Sequence, residues 1–452
     1  MTRLTACGIA LTGLSGVCLG LLAVWSRDGR MDDIMPVMVS VLTVAVAVYF
    51  LAVRLVLGPP RPRRALWLVL IVAAALRLPL LSGPPFLSSD IYRYVWDGRV
   101  QAAGINPYLF VPADPAVAAL RDAAIYPLIN RAGYAHTIYP PAAQVLFAAV
   151  GRVSQTVLAE KLMLAGFEAL AILCGLGLLS LARLPPERIL IYAWNPLAVW
   201  AFACDGHVDA AAIGLLAAAL LLRCRGRDGW AGAAFGAAVL IKFMPLAVGP
   251  ALWRRGGNWR LAACGAAAMA ALYACYLGAG WQVFGFLSGY GAEEGLDSGR
   301  GIWLLGWLGT IFPLPPHATA VYIAAAAAVL GAFALRVMTR RSGGEAPESD
   351  AIAVCGAATI LAAGAMAALS PHYPWYCAWI ALPAAVTPYR SAIWLSAAPV
   401  LLYLFPFDNY YLWPSLIYVP ALALALADLR ARPLAPPTSA PHTFAPPSPV
   451  KG

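Results

Sequence analysis

The sequence predicts an all-α polytopic membrane protein: a bundle of about 12 transmembrane helices with a few shorter re-entrant or interfacial helices. Three observations predict it. Of the 452 residues, 62% are hydrophobic and only 12% are charged, and the mean hydropathy is +0.74. A soluble domain carries about 25% charged residues, and a soluble chain of this size has too little interior to hide so much apolar surface. The apolar residues also fall in runs that approach the roughly 20 residues a helix needs to cross a hydrocarbon core. Finally, the arginines cluster between those runs in a pattern that one orientation explains. A soluble enzyme, a secreted disulfide scaffold and a nucleic-acid-binding protein are excluded.

The candidate spans are 4–25, 34–57, 65–82, 161–182, 187–204, 207–223, 259–279, 317–338, 351–370, 373–388, 391–406 and 410–428. The first follows Arg3, but its apolar stretch is long and no small-residue cleavage site follows, so it is expected as an anchor. With both termini inside, all the basic clusters fall on the cytoplasmic side. These are Arg54, Arg61, Arg63 and Arg64; Arg183 and Arg188; Arg223, Arg225 and Arg227; Arg254, Arg255 and Arg260; Arg336, Arg340 and Arg341; and Arg430 and Arg432. They account for the net charge of +10 without a polyanionic partner. This arrangement requires 139–156 and 229–253 not to cross fully. The first opens on Tyr-Pro-Pro and the second is interrupted at "IKFMP", so both are expected as short or re-entrant helices lining a cavity.

Residues 1–428 then form one transmembrane domain, and 429–452 form a proline-rich, unstructured cytoplasmic tail. The opposite, external side carries a long loop, 83–138, a second loop near 280–302, and short polar turns at 204–209 and 370–376. A loop longer than about 15 residues in such a chain is usually functional. Its segment "SSDIYRYVWDGRVQAAGINPY" is expected to contain an amphipathic helix lying in the membrane interface. The nine cysteines form no CxxC pair and read as small buried hydrophobes. No internal repeat is evident, which counts against transporter folds built from repeated halves.

In a chain so poor in charge, the external polar residues mark the candidate site. Asp90 opens the long loop. It can take a proton from a sugar hydroxyl, or cap the helix that follows together with Ser88 and Ser89. Arg93 and Asp97 share its helical face; Arg93 can hold a phosphate or simply pair with a carboxylate. His136 and Tyr139 precede the paired prolines, where a cavity-lining and an interfacial role both fit. In "AWNPLAVWAFACDGHVDAAA", Asp205 and Asp209 are four residues apart and would share a helical face without His207. A metal site there lacks a third ligand in sequence, so a polar substrate-binding or turn-sealing cluster is expected, with no metal and no cofactor. Lys242 lies in an apolar run, where its insertion costs about 2.5–3.5 kcal/mol; it needs an anionic partner, either a carboxylate or a lipid phosphate. His372 and Tyr376 belong to "SPHYPWYCAW" at the outer end of a span. An aromatic belt explains the tyrosine more readily than the histidine. Neither a P-loop nor a dinucleotide fingerprint is present, and no segment is left for a soluble nucleotide-binding domain.

In their order along the chain, "SSDIYRYVWDGRVQAAGINPY", "HTIYPPAAQVLFA", "NPLAVWAFACDGHVDA", "GAAVLIKFMPLAVGPALWRR" and "SPHYPWYCAW" resemble the GT-C integral-membrane glycosyltransferases. Within that superfamily the chain most resembles glycosyltransferase family 87, the polyprenyl-phosphate-mannose-dependent mannosyltransferase group, over roughly 65–425. The resemblance implies an inverting transfer of a hexose, mannose foremost, from a polyprenyl-phosphate donor to a lipid or glycan hydroxyl. It places the reaction on the external face of a bacterial cytoplasmic membrane. It implies that Asp90 is the general base and that His372 belongs to the donor site, with Arg93, Lys242 and Tyr376 beside it. It leaves Asp97, His136, Tyr139, Asp205, His207 and Asp209 to the acceptor or the cavity wall. The family's paired acidic motif is a single Asp90 here. The rival readings are a transporter or lipid-linked sugar flippase, which intramembrane charge also suits, and a non-catalytic assembly factor.

Overall fold

The computed structural model describes residues 1–28, 31–59, 61–254, 257–296, 298–339, 346–404 and 411–430. Among these residues every regular element is helical. Six helices are long and apolar enough to cross a membrane: residues 2–26 within α1 (Thr2–Asp28), residues 34–56 within α2 (Met31–Val56), α3 (Arg64–Leu81), one at Val157–Leu181, Ala318–Thr339 and Pro347–Leu369. Two further pairs, Pro196–Cys204 with Asp209–Cys224 and Trp259–Ala274 with Leu277–Glu293, are bent by 119° and 107° and raise the number to at most eight. The protein is a multi-pass membrane protein with six to eight candidate spans, fewer than the runs in the sequence suggest.

The shortfall has a physical cause. The runs at 187–204, 373–388 and 391–406 break into short helical pieces, several of which carry a proline in their first two residues (Pro186, Pro196, Pro374 and Pro399), because proline lacks the N–H that would continue a preceding helix. These pieces are buried by protein: Leu190 to Leu197 is wholly inside, and so are Ala378 to Ala385. Irregular backbone is tolerated at membrane depth only where protein covers it. An apolar run can therefore mean an interior segment as well as a lipid-facing span. Residues 410–428 give a 19-residue helix, Leu412–Arg430, carrying Pro420. The expected tail lies outside the described residues from 431 onward.

The long 83–138 loop contains α4 (Asp90–Ala102), which packs on α5 (Pro141–Val153) and on α6, the Val157–Leu181 helix. Pro141 opens α5 at a position where its missing N–H costs nothing. α5 and the Asp228–Ile241 helix have 13 and 14 residues, too few to cross, as the two non-crossing segments require. α4 differs from the interfacial helix expected there: ten of its thirteen residues are buried. Its inner side meets α5 so closely that a Cβ on Gly98 would lie 2.4 Å from the Phe147 carbonyl oxygen. Its outer side, Val95, Trp96 and Val100, is covered by Val117, Ile125 and Ile129 of the same loop.

Buried ion pairs lock these elements together. Arg77 of α3 donates to Glu168 of α6 at 2.8 Å and to the Ala193 carbonyl at 2.7 Å. Lys161 is completely buried; its Nζ donates to the carbonyls of Leu80 (3.2 Å) and Gly83 (2.7 Å) at the end of α3. A cation is favoured at that helix end because the unpaired carbonyls carry the negative pole of the dipole. The sequence reading did not single out these charges, which lie inside apolar runs.

Candidate active site

The segment that leads to Asp90 is held from two directions. Lys161 grips the turn after α3, and Asp205 Oδ1 accepts hydrogen bonds from the backbone N–H of Phe86 and Leu87, both at 2.9 Å. Asp90 follows as the first residue of α4. Ser89 occupies the cap position without a side-chain capping bond, and the Asp90 carboxylate accepts instead from Asn130 Nδ2 at 2.8 Å. Its other oxygen, Oδ2, lies 3.6 Å from His207 Nδ1, and the side chain remains 23% exposed. Burial raises the Asp90 carboxyl above the usual carboxylate range; the Asn130 hydrogen bond and the charges of Lys242 and Arg131 oppose that rise.

Asp205, His207 and Asp209 come from the 119° bend, not from a continuous helix. Gly206 makes the bend with φ +69°, a left-handed conformation that glycine adopts freely. A Cβ there would lie 2.3 Å from Ile91 Cδ1, so the turn presses directly against the residue after Asp90. His207 is 1% exposed and stacks on Trp375 with ring centroids 3.8 Å apart and planes at 22°. Asp205 faces the loop before α4, and Asp209 faces Lys242.

Lys242 ends the Asp228–Ile241 helix in an extended conformation (φ −156°, ψ 138°). Its ammonium donates to both oxygens of Asp209, at 2.8 and 2.9 Å, and sits 3.7 Å from the centre of the Tyr376 ring. Tyr376 and Tyr290 share a hydroxyl–hydroxyl hydrogen bond of 2.7 Å. His372 Nδ1 lies 3.5 Å from Glu294 Oε2, both side chains being buried. Arg131 pairs with Glu293 at 2.6 Å and joins the long loop to the short helix Leu287–Glu293. Lys242 and Asp209 border a small pocket whose other walls are Ala212, Ile213, Leu216, Met244, Pro245 and Trp379.

The structure thus brings Asp90, His207, Asp209, Lys242 and Tyr376 together, with His372 alongside Glu294. Tyr139 lies near enough to Asp90 and Tyr376 to feel both, whereas Arg93, Asp97 and His136 are engaged away from Asp90. Arg93 donates to Asp97 at 2.8 Å and to the Ala135 carbonyl at 3.0 Å. Asp97 also accepts from Thr137 (2.6 Å) and Gln144 (2.8 Å), which makes the four side chains one buried network between α4 and α5. His136 Nδ1 is 3.0 Å from the Tyr108 carbonyl, and Tyr139 packs edge-on against Tyr94 and Phe147. Among the described residues, no three His, Cys, Asp or Glu side chains group closely enough to hold a metal ion.

Residues 4–254, more than half of the chain, match the family described as Alpha-(1->6)-mannopyranosyltransferase, N-terminal domain. The chain belongs to this family. It is a membrane mannosyltransferase, and so a glycosyltransferase that uses a sugar donor and a glycan acceptor. The matched region contains Asp90, Asp205, His207, Asp209 and Lys242; Glu294, His372 and Tyr376 lie beyond it. No curated protein and no solved structure matches the chain.

Asn130, Arg131, Tyr290, Glu293 and Glu294 are the site residues that sequence reasoning missed. Asn130 and Arg131 lie in a stretch without periodicity, and the acidic pair Glu293–Glu294 was the one available signal. Asp205 offers a direct check on how the site is built. Asp205→Ala leaves two N–H groups without their acceptor, at about 1–3 kcal/mol each, whereas Asp205→Asn keeps an acceptor oxygen in place. In detergent, thermal unfolding of the mannosyltransferase should drop markedly for the alanine variant and much less for asparagine.

Proposed function

We propose that this mannosyltransferase transfers mannose from a polyprenyl-phosphate donor to an acceptor hydroxyl, with inversion at the anomeric carbon and with Asp90 as general base. The observation that carries the reading is the Asp90 carboxylate: partly exposed, held by Asn130, and set beside the Lys242–Asp209 pair. The acceptor is a lipid or glycan, and the description of the family points to the primary 6-hydroxyl of a mannose unit. The reaction takes place at the external face of a bacterial cytoplasmic membrane.

The acceptor O–H donates its proton to Asp90 as its oxygen attacks the anomeric carbon from the face opposite the phosphate. The bond from that carbon to the phosphate oxygen breaks, and its electron pair leaves with the polyprenyl phosphate. Asp90 ends protonated. A phosphate already carries its charge stably at neutral pH, so the departing group needs electrostatic stabilisation more than a proton. Lys242 is suited to that task, with His372 on the same side. Arg93, expected beside them from its spacing, is engaged by Asp97 and Ala135.

The test offers the purified protein two donors, polyprenyl-phosphate mannose and a nucleotide-activated mannose. Product is expected from the first alone. Equal transfer from the nucleotide sugar refutes the donor assignment.

A further inference from the structure

A general base accelerates transfer only when its lone pair is aimed at the hydroxyl, and small misplacements are costly. Asp90 stands at the start of a helix with a carboxylate free to rotate about its side-chain bonds, yet elements distant in sequence meet it on both oxygens. Asn130 donates to Oδ1 at 2.8 Å. His207 Nδ1 lies 3.6 Å from Oδ2, just beyond hydrogen-bond reach.

His207 is built for that position. Its ring is 1% exposed and clamped flat on Trp375. The glycine before it presses on Ile91, the neighbour of Asp90, which brings the turn that carries the ring up against the start of α4. Among the described residues, neither ring nitrogen has a hydrogen-bond partner. A buried polar atom left so is rare and calls for a cause. Catalytic hydrogen bonds that are long in the free enzyme tighten once substrate is bound.

We propose that Asn130 and His207 are positioning residues that clamp the Asp90 carboxylate from its two sides, His207 doing so through an Nδ1–H that closes on Oδ2 when the acceptor binds. The inference rests on the reading of Asp90 as the base. Besides His207, the charged groups that act on this carboxylate are Lys242, Arg131 and Asp209.

The experiment measures kcat, KM and the pH profile of transfer for His207→Ala, His207→Asn, His207→Gln and Asn130→Ala in the full chain. His207→Ala and Asn130→Ala should each lower kcat about 10- to 100-fold, the range for one lost hydrogen bond to a charged group, with KM for the donor nearly unchanged. Each loses a donor to the ionised carboxylate, so the acid limb should move up by about one pH unit, in kcat/KM for Asn130→Ala, whose bond is already made in the free enzyme, and in kcat for His207→Ala, whose bond closes only in the complex. Asparagine places its N–H near the Nδ1 position and glutamine near Nε2, so His207→Asn should recover activity and His207→Gln should not. A purely structural role for His207 would treat the two amides alike and leave the limb in place, and that result overturns the proposal. If His207→Ala does not fold, Asn130→Ala on the external loop decides by the same limb. Asp90→Asn separates the two levels: activity retained there overturns the base assignment itself, whereas an inactive Asp90→Asn with unaffected His207 and Asn130 variants overturns only the clamp.

Discussion

Asp90→Asn should reduce mannosyl transfer by about 10²–10⁴-fold, the usual contribution of a general base, while donor binding and thermal stability stay close to wild type. Asparagine keeps the shape of the side chain and an oxygen for Asn130 to donate to, so the loss isolates the proton-accepting step. Donor binding is read from product-free capture of the labelled lipid, and turnover from single-turnover kinetics. Wild-type turnover in this variant would remove Asp90 from the mechanism. The pH profile supplies a second test with a fixed sign. The base works only when ionised, so activity is present above its pKa and is lost as pH falls through it. Burial holds that pKa above the ordinary carboxylate value, which places the acid limb above about pH 4. Lys242 and Arg131 oppose the rise, and removing either charge should move the limb further up.

Lys242→Met should be damaging for two separable reasons. The first is stability: the variant leaves Asp209, only 7% exposed at its side chain, without the cation that both its oxygens accept from. Breaking a buried pair from one side costs about 3–5 kcal/mol, because the remaining charge is uncompensated. The low end applies here, since the Lys242 side chain is 20% exposed. The second is chemistry, through the loss of the positive charge assigned to the departing phosphate. The double variant Lys242→Met with Asp209→Asn separates the two. Neutralising both partners should restore most of the thermal stability in detergent, yet transfer should stay low. If the double variant regains transfer, Lys242 serves only the ion pair and the phosphate role is lost.

The legibility of the site follows from dielectric cost. Asp90, Asp205, His207, Asp209 and Lys242 were visible because a polar group in an apolar run needs a reason to be there. By the same rule Arg77, Lys161 and Glu168 should have stood out, but Arg77 and Glu168 lie within long spans, Lys161 lies at the start of one, and each finds its partner on another helix or turn. One-dimensional spacing carries no trace of such a partner. Arg93 and Asp97 were correctly placed on one helical face, four residues apart. Spacing did not reveal that this face turns toward Thr137 and Gln144. Asn130 was invisible because a neutral amide in an irregular loop violates no rule.

By itself the sequence determined that this chain lives in a membrane, that its elements are helices, and that two segments stop short of crossing. Those conclusions follow from composition and local periodicity, which act through the cost of exposing apolar surface to water and unpaired backbone to lipid. The tertiary structure decided which apolar runs form long unbroken helices and which break into short buried pieces, because an interior segment and a lipid-facing helix have the same hydropathy. It also decided which polar residues meet. The approach of Asn130 and His207 to Asp90, and of Asp209 and Tyr376 to Lys242, depends on the 119° bend at Gly206 and on the loop folding back over α4. Contacts across such sequence distances arise from packing, and packing is settled only when the whole chain has folded.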